Sequence, residues 1–194
     1  MSSQPKTYLT PEEYLAIERQ AEYKSEYLAG EVFAMVGASR KHNLITVNII
    51  VALGQQLRDK TCELYPSDMR VRVPATGLYT YPDVVVACDE PNFEDNYFDT
   101  LLNPILIVEV FSPSTASYDR TRKFGHYRKI ESLAEYLLVA QDEYKIEQYV
   151  KQPDERWLLS DISSLEARVE LVSTQCTLNL ADVYAKVELT EGRA

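Results

Sequence analysis

A mixed α/β fold around a central, mostly apolar sheet is predicted from three observations. Helical and strand periods follow one another as helix, hairpin, helix, strand, strand, helix, strand, strand along 194 residues. Two segments, YTYPDVVVACDEP and NPILIVEVFSPST, contain apolar runs without alternation, the pattern of strands covered on both faces. The strand–helix–strand unit over 105–140 should be a right-handed parallel crossover.

The elements follow from local chemistry. YLTPEEYLAIERQAE reads as a helix: Thr10 caps it, Pro11 takes the first helical position and Glu13 completes a capping box. KSEYLAGEVFAMVG reads as a hairpin turning at Ala29-Gly30. A second helix, capped by Ser39, is predicted from apolar residues at Leu44, Val47, Ile50, Val51 and Leu57. CELYPSDMRVRVP and LYTYPDVVVACD each read as one strand, and 89–103 as an acidic irregular loop. PILIVEVFS is a strand, the chain from Pro113 to about Ile130 a helix, and AEYLLVAQ and KIEQYVKQ two further strands. RWLLSDI, ARVELVS and QCTLNLADVY are short closing strands or a finishing turn.

Composition narrows the class. A chain of this length fits one domain, 1–194, and can bury a sizeable core. No apolar run approaches the roughly 20 residues of a membrane helix, and the N-terminus lacks the pattern of a signal peptide. Cys62, Cys88 and Cys176 are far apart, so each is expected to pack singly, as in a reducing cytoplasm. A net charge of −10 disfavours general nucleic-acid binding. The local exception is YDRTRKFGHYRK, residues 118–129. Its solvated face could equally be surface alone. The C-terminal strands and the many tyrosines, 14 in all, need cover, which points to a two-fold homodimer.

Two acids stand out. Alternation in ILIVEV sets Ile105, Ile107 and Glu109 on one face. A carboxylate there needs a cation, a metal or an edge with solvent on one side. Asp83 follows Pro82 at the mouth of the neighbouring apolar strand and could be a turn residue. Two acids on adjacent strands can share one hard cation. Lys123, Tyr127 and Ile130 fall on one helix face just after the Glu109 strand, so Lys123 can swing over its end or remain a solvated lysine.

Pro82-Asp83, Glu109 in its strand and the later lysine resemble the PD-(D/E)XK, or restriction-endonuclease-like, superfamily. The superfamily's usual lysine position, two residues after the second acid, is Phe111 here. IVEVFSPST, YDRTRK, YLLV and GEVFAMVGASRKH nevertheless resemble the Uma-type branch of endonucleases, in which the lysine has moved to the next helix. The resemblance implies a four-stranded mixed sheet flanked by helices, with an extra N-terminal hairpin and C-terminal strands. It implies Mg²⁺ or Mn²⁺ held by Asp83, Glu109 and the Val110 carbonyl, and Lys123 beside the attacking water. Glu31 is the expected additional acid, Asp68 a lesser one, and His42 touches substrate or the acids. Arg120, Arg122 and Lys129 would meet phosphates of a nucleic acid, in the first place DNA. Lys123→Ala is expected to stop cleavage and leave folding nearly unchanged. Competing readings are a catalytically silent binding or oligomerising module and a two-carboxylate glycosidase, which the single Trp disfavours.

Overall fold

The computed structural model describes residues 8–189; the leader-free reading of the first residues lies partly outside them. Helix α1 spans Pro11–Glu18, and the Thr10–Glu13 capping box is formed in both directions. Strands β1 (Ser25–Leu28) and β2 (Glu31–Ala34) make the hairpin. Ala29 and Gly30 both take positive φ at its turn, where a side chain on Gly30 would also strike Tyr8. Helix α2 (Arg40–Leu57) is capped by Ser39, whose hydroxyl accepts from the His42 N–H.

Each of the two long strands predicted next is broken in two. The first yields β3 (Cys62–Pro66) and β4 (Arg70–Val73), the second β5 (Leu78–Thr80) and β6 (Val84–Cys88). A proline stands at each break, Pro66 as the last residue of β3 and Pro82 between β5 and β6, and at each the chain passes from one sheet to another. The acidic loop contains a short strand, β7 (Thr100–Leu101), followed by β8 (Leu106–Phe111). The next helical segment is α3 (Ala116–Tyr118), a π-helical turn (Asp119–Lys123) and α4 (Phe124–Tyr127). Strands β9 (Glu135–Ala140), β10 (Ile146–Lys151), β11 (Trp157–Ile162), β12 (Arg168–Leu171) and β13 (Cys176–Asn179) lead to α5 (Leu180–Val183).

The central sheet has six strands rather than the four expected, ordered β11-β10-β9-β8-β6-β3. β8 and β9 pair in parallel, as the crossover requires, and β6 and β8 antiparallel. A five-stranded sheet, β2-β1-β5-β4-β7, stands beside it. One face of the central sheet packs Val84, Leu106, Val108 and Val110 against α2 and the C-terminal elements. The other packs Val85, Ile107 and Phe111 against Tyr127, Ile130 and Leu133 from the helical segment and its exit. α1 covers the smaller sheet through stacked and tilted Tyr14, Tyr27 and Tyr79.

Three further expectations are corrected. The buried stripe of α2 is Ile45, Ile49, Leu53 and Leu57, whereas Val47 and Val51 are about half exposed at 55% and 52%. The helix is apolar on more than one face, so a helical period exists for either stripe. Cys62 and Cys88 do not pack singly: they sit directly opposite each other at the end of the β3–β6 ladder and are joined by a disulfide, while Cys176 is a buried thiol. Most tyrosines line the cores instead of awaiting cover; Tyr8, Tyr23, Tyr97 and Tyr118 are the clearly exposed ones among the described residues. No described helix is long and apolar enough to cross a membrane.

The α2 correction gives a direct test. Ile49→Ala should cost about 2–5 kcal/mol of unfolding free energy, because a fully buried side chain leaves a cavity. Val47→Ala should stay within about 0.5 kcal/mol. Urea unfolding of both variants checks the assignment, and equal losses would contradict it.

Candidate active site

The β6–β8 ladder builds the site. Its register pairs Val84 with Val108 and Val85 with Ile107, so one further step sets Asp83 opposite Glu109 at the sheet's end. Opposed residues share a face, and the alternation that buries Ile107 carries Glu109 to the same side. The Asp83 carboxylate is held at both oxygens: Oδ1 lies 2.9 Å from His42 Nε2, and Oδ2 accepts the Val110 N–H at 2.7 Å. His42 reaches it from the first turn of α2. Burial works against the charged imidazole, but the Asp83 hydrogen bond and charge overcome it and raise the His42 pKa.

Glu109 is 5% exposed and accepts two hydrogen bonds on Oε1, from Lys123 Nζ at 2.9 Å and from the Tyr127 hydroxyl at 2.7 Å. Lys123 and Tyr127 are four residues apart and share the helix face that meets the sheet. The π-helical turn ends at Lys123, a backbone irregularity often found at functional sites. Lys123 carries the charge of this cluster. Burial opposes its protonation, but Glu109, Glu26 and Asp119 surround it and raise its pKa. Burial pushes Glu109 up to about 8 against the pull of Lys123, with Asp83 and Asp119 adding to the rise.

An acid that sequence reasoning missed completes the cluster. Glu26 lies 3.5 Å from Lys123 Nζ, with its side chain 12% exposed, and accepts the Thr80 hydroxyl. β1, which carries it, runs between β2 and β5, whereas Glu31 stands on the edge strand β2 opposite Leu28. The hairpin sequence does not reveal which strand is interior. Asp68 is outside the cluster: it is 86% exposed and paired with Lys24.

The basic segment divides. Arg120 forks onto the buried carboxylate of Glu147 at 2.6–3.0 Å and lies over the Phe111 ring, so it clamps the helix to β10 and is not a free phosphate ligand. Arg122 and Lys129 are exposed. His126 meets the Thr76 hydroxyl at 2.9 Å.

The mixed sheet flanked by helices is that of a restriction-endonuclease-like protein. The chain belongs to the Uma2 family, described as "Putative restriction endonuclease", which it matches over residues 11–181. It is 43% identical to the Synechocystis protein sll1609 over 162 residues, covering 84% of this chain and 92% of that one. It is 37% identical to Synechocystis slr1290, covering 94% of each. A crystal structure titled as that of a "putative nuclease belonging to DUF820" from Anabaena variabilis superposes with a TM-score of 0.76. The match covers 93% of this chain and 99% of that one, at 19% identity, and so speaks for the fold.

The elevated Glu109 pKa has a sign that can be tested. Folded Glu109 holds its proton more tightly than the unfolded chain does, so its contribution to stability falls as pH rises from about 4.5 to about 8. Glu109→Gln removes that titration. Across this window the stability of wild type relative to Glu109→Gln should decline by up to about 1.4 kcal/mol per pH unit. Denaturant unfolding at several pH values checks this; a constant difference contradicts it.

Proposed function

We propose that this chain is a divalent-metal-dependent endonuclease that hydrolyses phosphodiester bonds of nucleic acid, in the first place DNA. The observation that carries the reading is the β6–β8 register, which opposes Asp83 and Glu109, with Lys123 held on Glu109. The donor set fits a hard cation. Glu26, Asp83, Glu109 and Asp119 share their surroundings with Lys123 and His42, and the hydrogen bonds of Glu109 fall on Oε1, leaving Oε2 for an ion. Among the described residues no group of three or more His, Cys, Asp or Glu side chains is arranged to hold a metal ion. Mg²⁺ or Mn²⁺ needs only one or two carboxylates and keeps several waters, so Asp83 and Glu109 would suffice as its protein acids.

In this assignment Asp83, Glu109 and the Val110 carbonyl would hold the ion, which would supply Lewis acidity toward water and a counter-charge for the phosphate. His42 and the Val110 N–H hold the Asp83 carboxylate in place. Tyr127, one turn further along the same helix face, also fixes Glu109. The Lys123 ammonium orients the attacking water and offsets charge that develops on the phosphoryl oxygens. Glu26 takes over the part of third acid expected of Glu31. Arg122 and Lys129 remain as phosphate contacts, without Arg120.

Wild type should cleave nucleic acid only with Mg²⁺ or Mn²⁺, and Asp83→Asn should lower the rate by about 100-fold or more while keeping the fold, since the amide oxygen can still accept from Val110. Cleavage assays on single- and double-stranded DNA and RNA, with and without EDTA, measure this. No cleavage of any substrate would instead favour a silent binding module. Lys123→Met should also destroy activity, but the structure revises the expectation that folding is spared. Above about pH 8, where Glu109 is ionised, the substitution leaves it beside Glu26 and Asp119 without a cation, at a cost of about 3–5 kcal/mol. Chemical denaturation reads this loss; an unchanged midpoint would contradict it.

A further inference from the structure

A groove of about 870 Å³ lies beside the helical segment that carries Lys123. Arg128 and Lys129 line it from the end of that segment, and Lys151 and Arg156 from β10 and the approach to β11. Two acids, Glu131 and Glu155, also line it, so cations outnumber acids four to two on a chain of net charge −10. Arg128 and Lys129 have no acidic partner among the described residues. Lys151 and Arg156 are paired with Glu155 and Asp154, which are 77% and 51% exposed and can yield to a phosphate. The lining is also aromatic: partly exposed Trp157 meets Phe124 edge to face at 5.2 Å.

The groove adjoins the candidate active site. Phe124 directly follows Lys123, and Tyr136 stacks on Phe124 at 5.5 Å while meeting Tyr127, the partner of Glu109, at 5.4 Å. These rings belong to the core on the same face of the sheet. Lys129 lies about 9 Å along the helical segment from Lys123.

We infer that this groove binds single-stranded nucleic acid, stacking one base on Trp157 and holding adjacent phosphates with Arg128, Lys129, Lys151 and Arg156. The inference rests on the nuclease reading for its substrate class alone. An aromatic platform inside a cationic groove is the combination by which unpaired strands are bound without sequence readout. A base within a duplex has its faces covered by its neighbours and cannot stack on Trp157 without leaving them.

Trp157 is the chain's one tryptophan, so its emission reports the groove directly. In EDTA, where no metal-dependent cleavage proceeds, a mixed-sequence single-stranded oligonucleotide should quench it saturably. A blunt duplex and inorganic polyphosphate should not. The double variant Arg128→Glu/Lys129→Glu, at two exposed sites, should weaken binding at least about tenfold and flatten the log–log salt slope by about 1.4, for two phosphates at roughly 0.7 each. Trp157→Leu, checked for native circular dichroism, should weaken binding of a labelled oligonucleotide by about fivefold or more. Equal quenching by duplex or polyphosphate, no quenching, or unchanged affinity in the charge-reversed variant would overturn the groove. Groove binding by a wild-type chain that cleaves nothing would sink the nuclease reading and leave the groove standing. Metal-dependent cleavage without groove-dependent binding would do the reverse.

Discussion

The buried carboxylate of Glu109 constrains the rest of this molecule. Ionising a carboxyl inside a strand covered on both faces costs several kcal/mol unless it is paired and hydrogen-bonded, and burial raises its pKa accordingly. Lys123 and Tyr127 meet that demand on a single oxygen, and both come from the same face of one helical segment. The segment must therefore lie across this side of the central sheet, where Ile130 and Leu133 complete its packing. Arg120 secures the same placement at the other end by forking onto Glu147 of β10. The crossover from β8 to β9 thus follows from charge pairing as much as from apolar burial.

Asp83 reaches Glu109 by a different device. The chain crosses between the two larger sheets five times, and the third crossing, at Tyr81-Pro82-Asp83, delivers Asp83 to the start of β6. Tyr81 is fixed there by a buried network: its hydroxyl donates to Glu18 at 2.9 Å and accepts from Arg70 Nε at 2.9 Å. Glu18 in turn accepts the Ser25 N–H at 2.8 Å, linking α1 to β1. The network thus couples the small N-terminal elements to the position of Asp83, although none of its members touches the acid pair. It places β1, and with it Glu26, next to Lys123.

What the sequence disclosed was whatever local chemistry decides. The α1 capping box, the Ala29-Gly30 turn, the Ser39 cap and the Lys123–Tyr127–Ile130 face all depend on neighbours within a few residues. Long-range partnership was less legible. Pro66 and Pro82 marked the breaks in two strands, but nothing in the spacing said that the halves join different sheets. Glu26 and Glu31 are both hairpin acids, and only the neighbouring β5 makes β1 the inner strand. Cys62 and Cys88 are 26 residues apart, and only the β3–β6 register sets them face to face. In α2 the amphipathic signal was real but ambiguous, because Val47 and Val51 extend the apolar surface beyond the stripe that the sheet covers.

Charge remains the harder problem for a chain that is to meet phosphates. Around Lys123 the carboxylates of Glu26, Glu109 and Asp119 outnumber their cation, and Asp83 adds a further acid. A bare site of this kind repels a phosphodiester, and a net charge of −10 offers no long-range attraction to offset it. In the proposed function a hard cation would answer the local excess, since it would itself be the largest positive charge such a site can hold. It does not guide a strand from solvent. Exposed Arg122, Arg128 and Lys129 stand on the helical segment that carries Lys123, within a few turns of the acids. Over a screening length of about 8 Å, only cations that close contribute to the field at the cleft. In the proposed function the helix would have two electrostatic tasks on two faces: one cation turned inward onto the Glu109 carboxyl, and several turned outward to draw a polyanion toward an acidic centre.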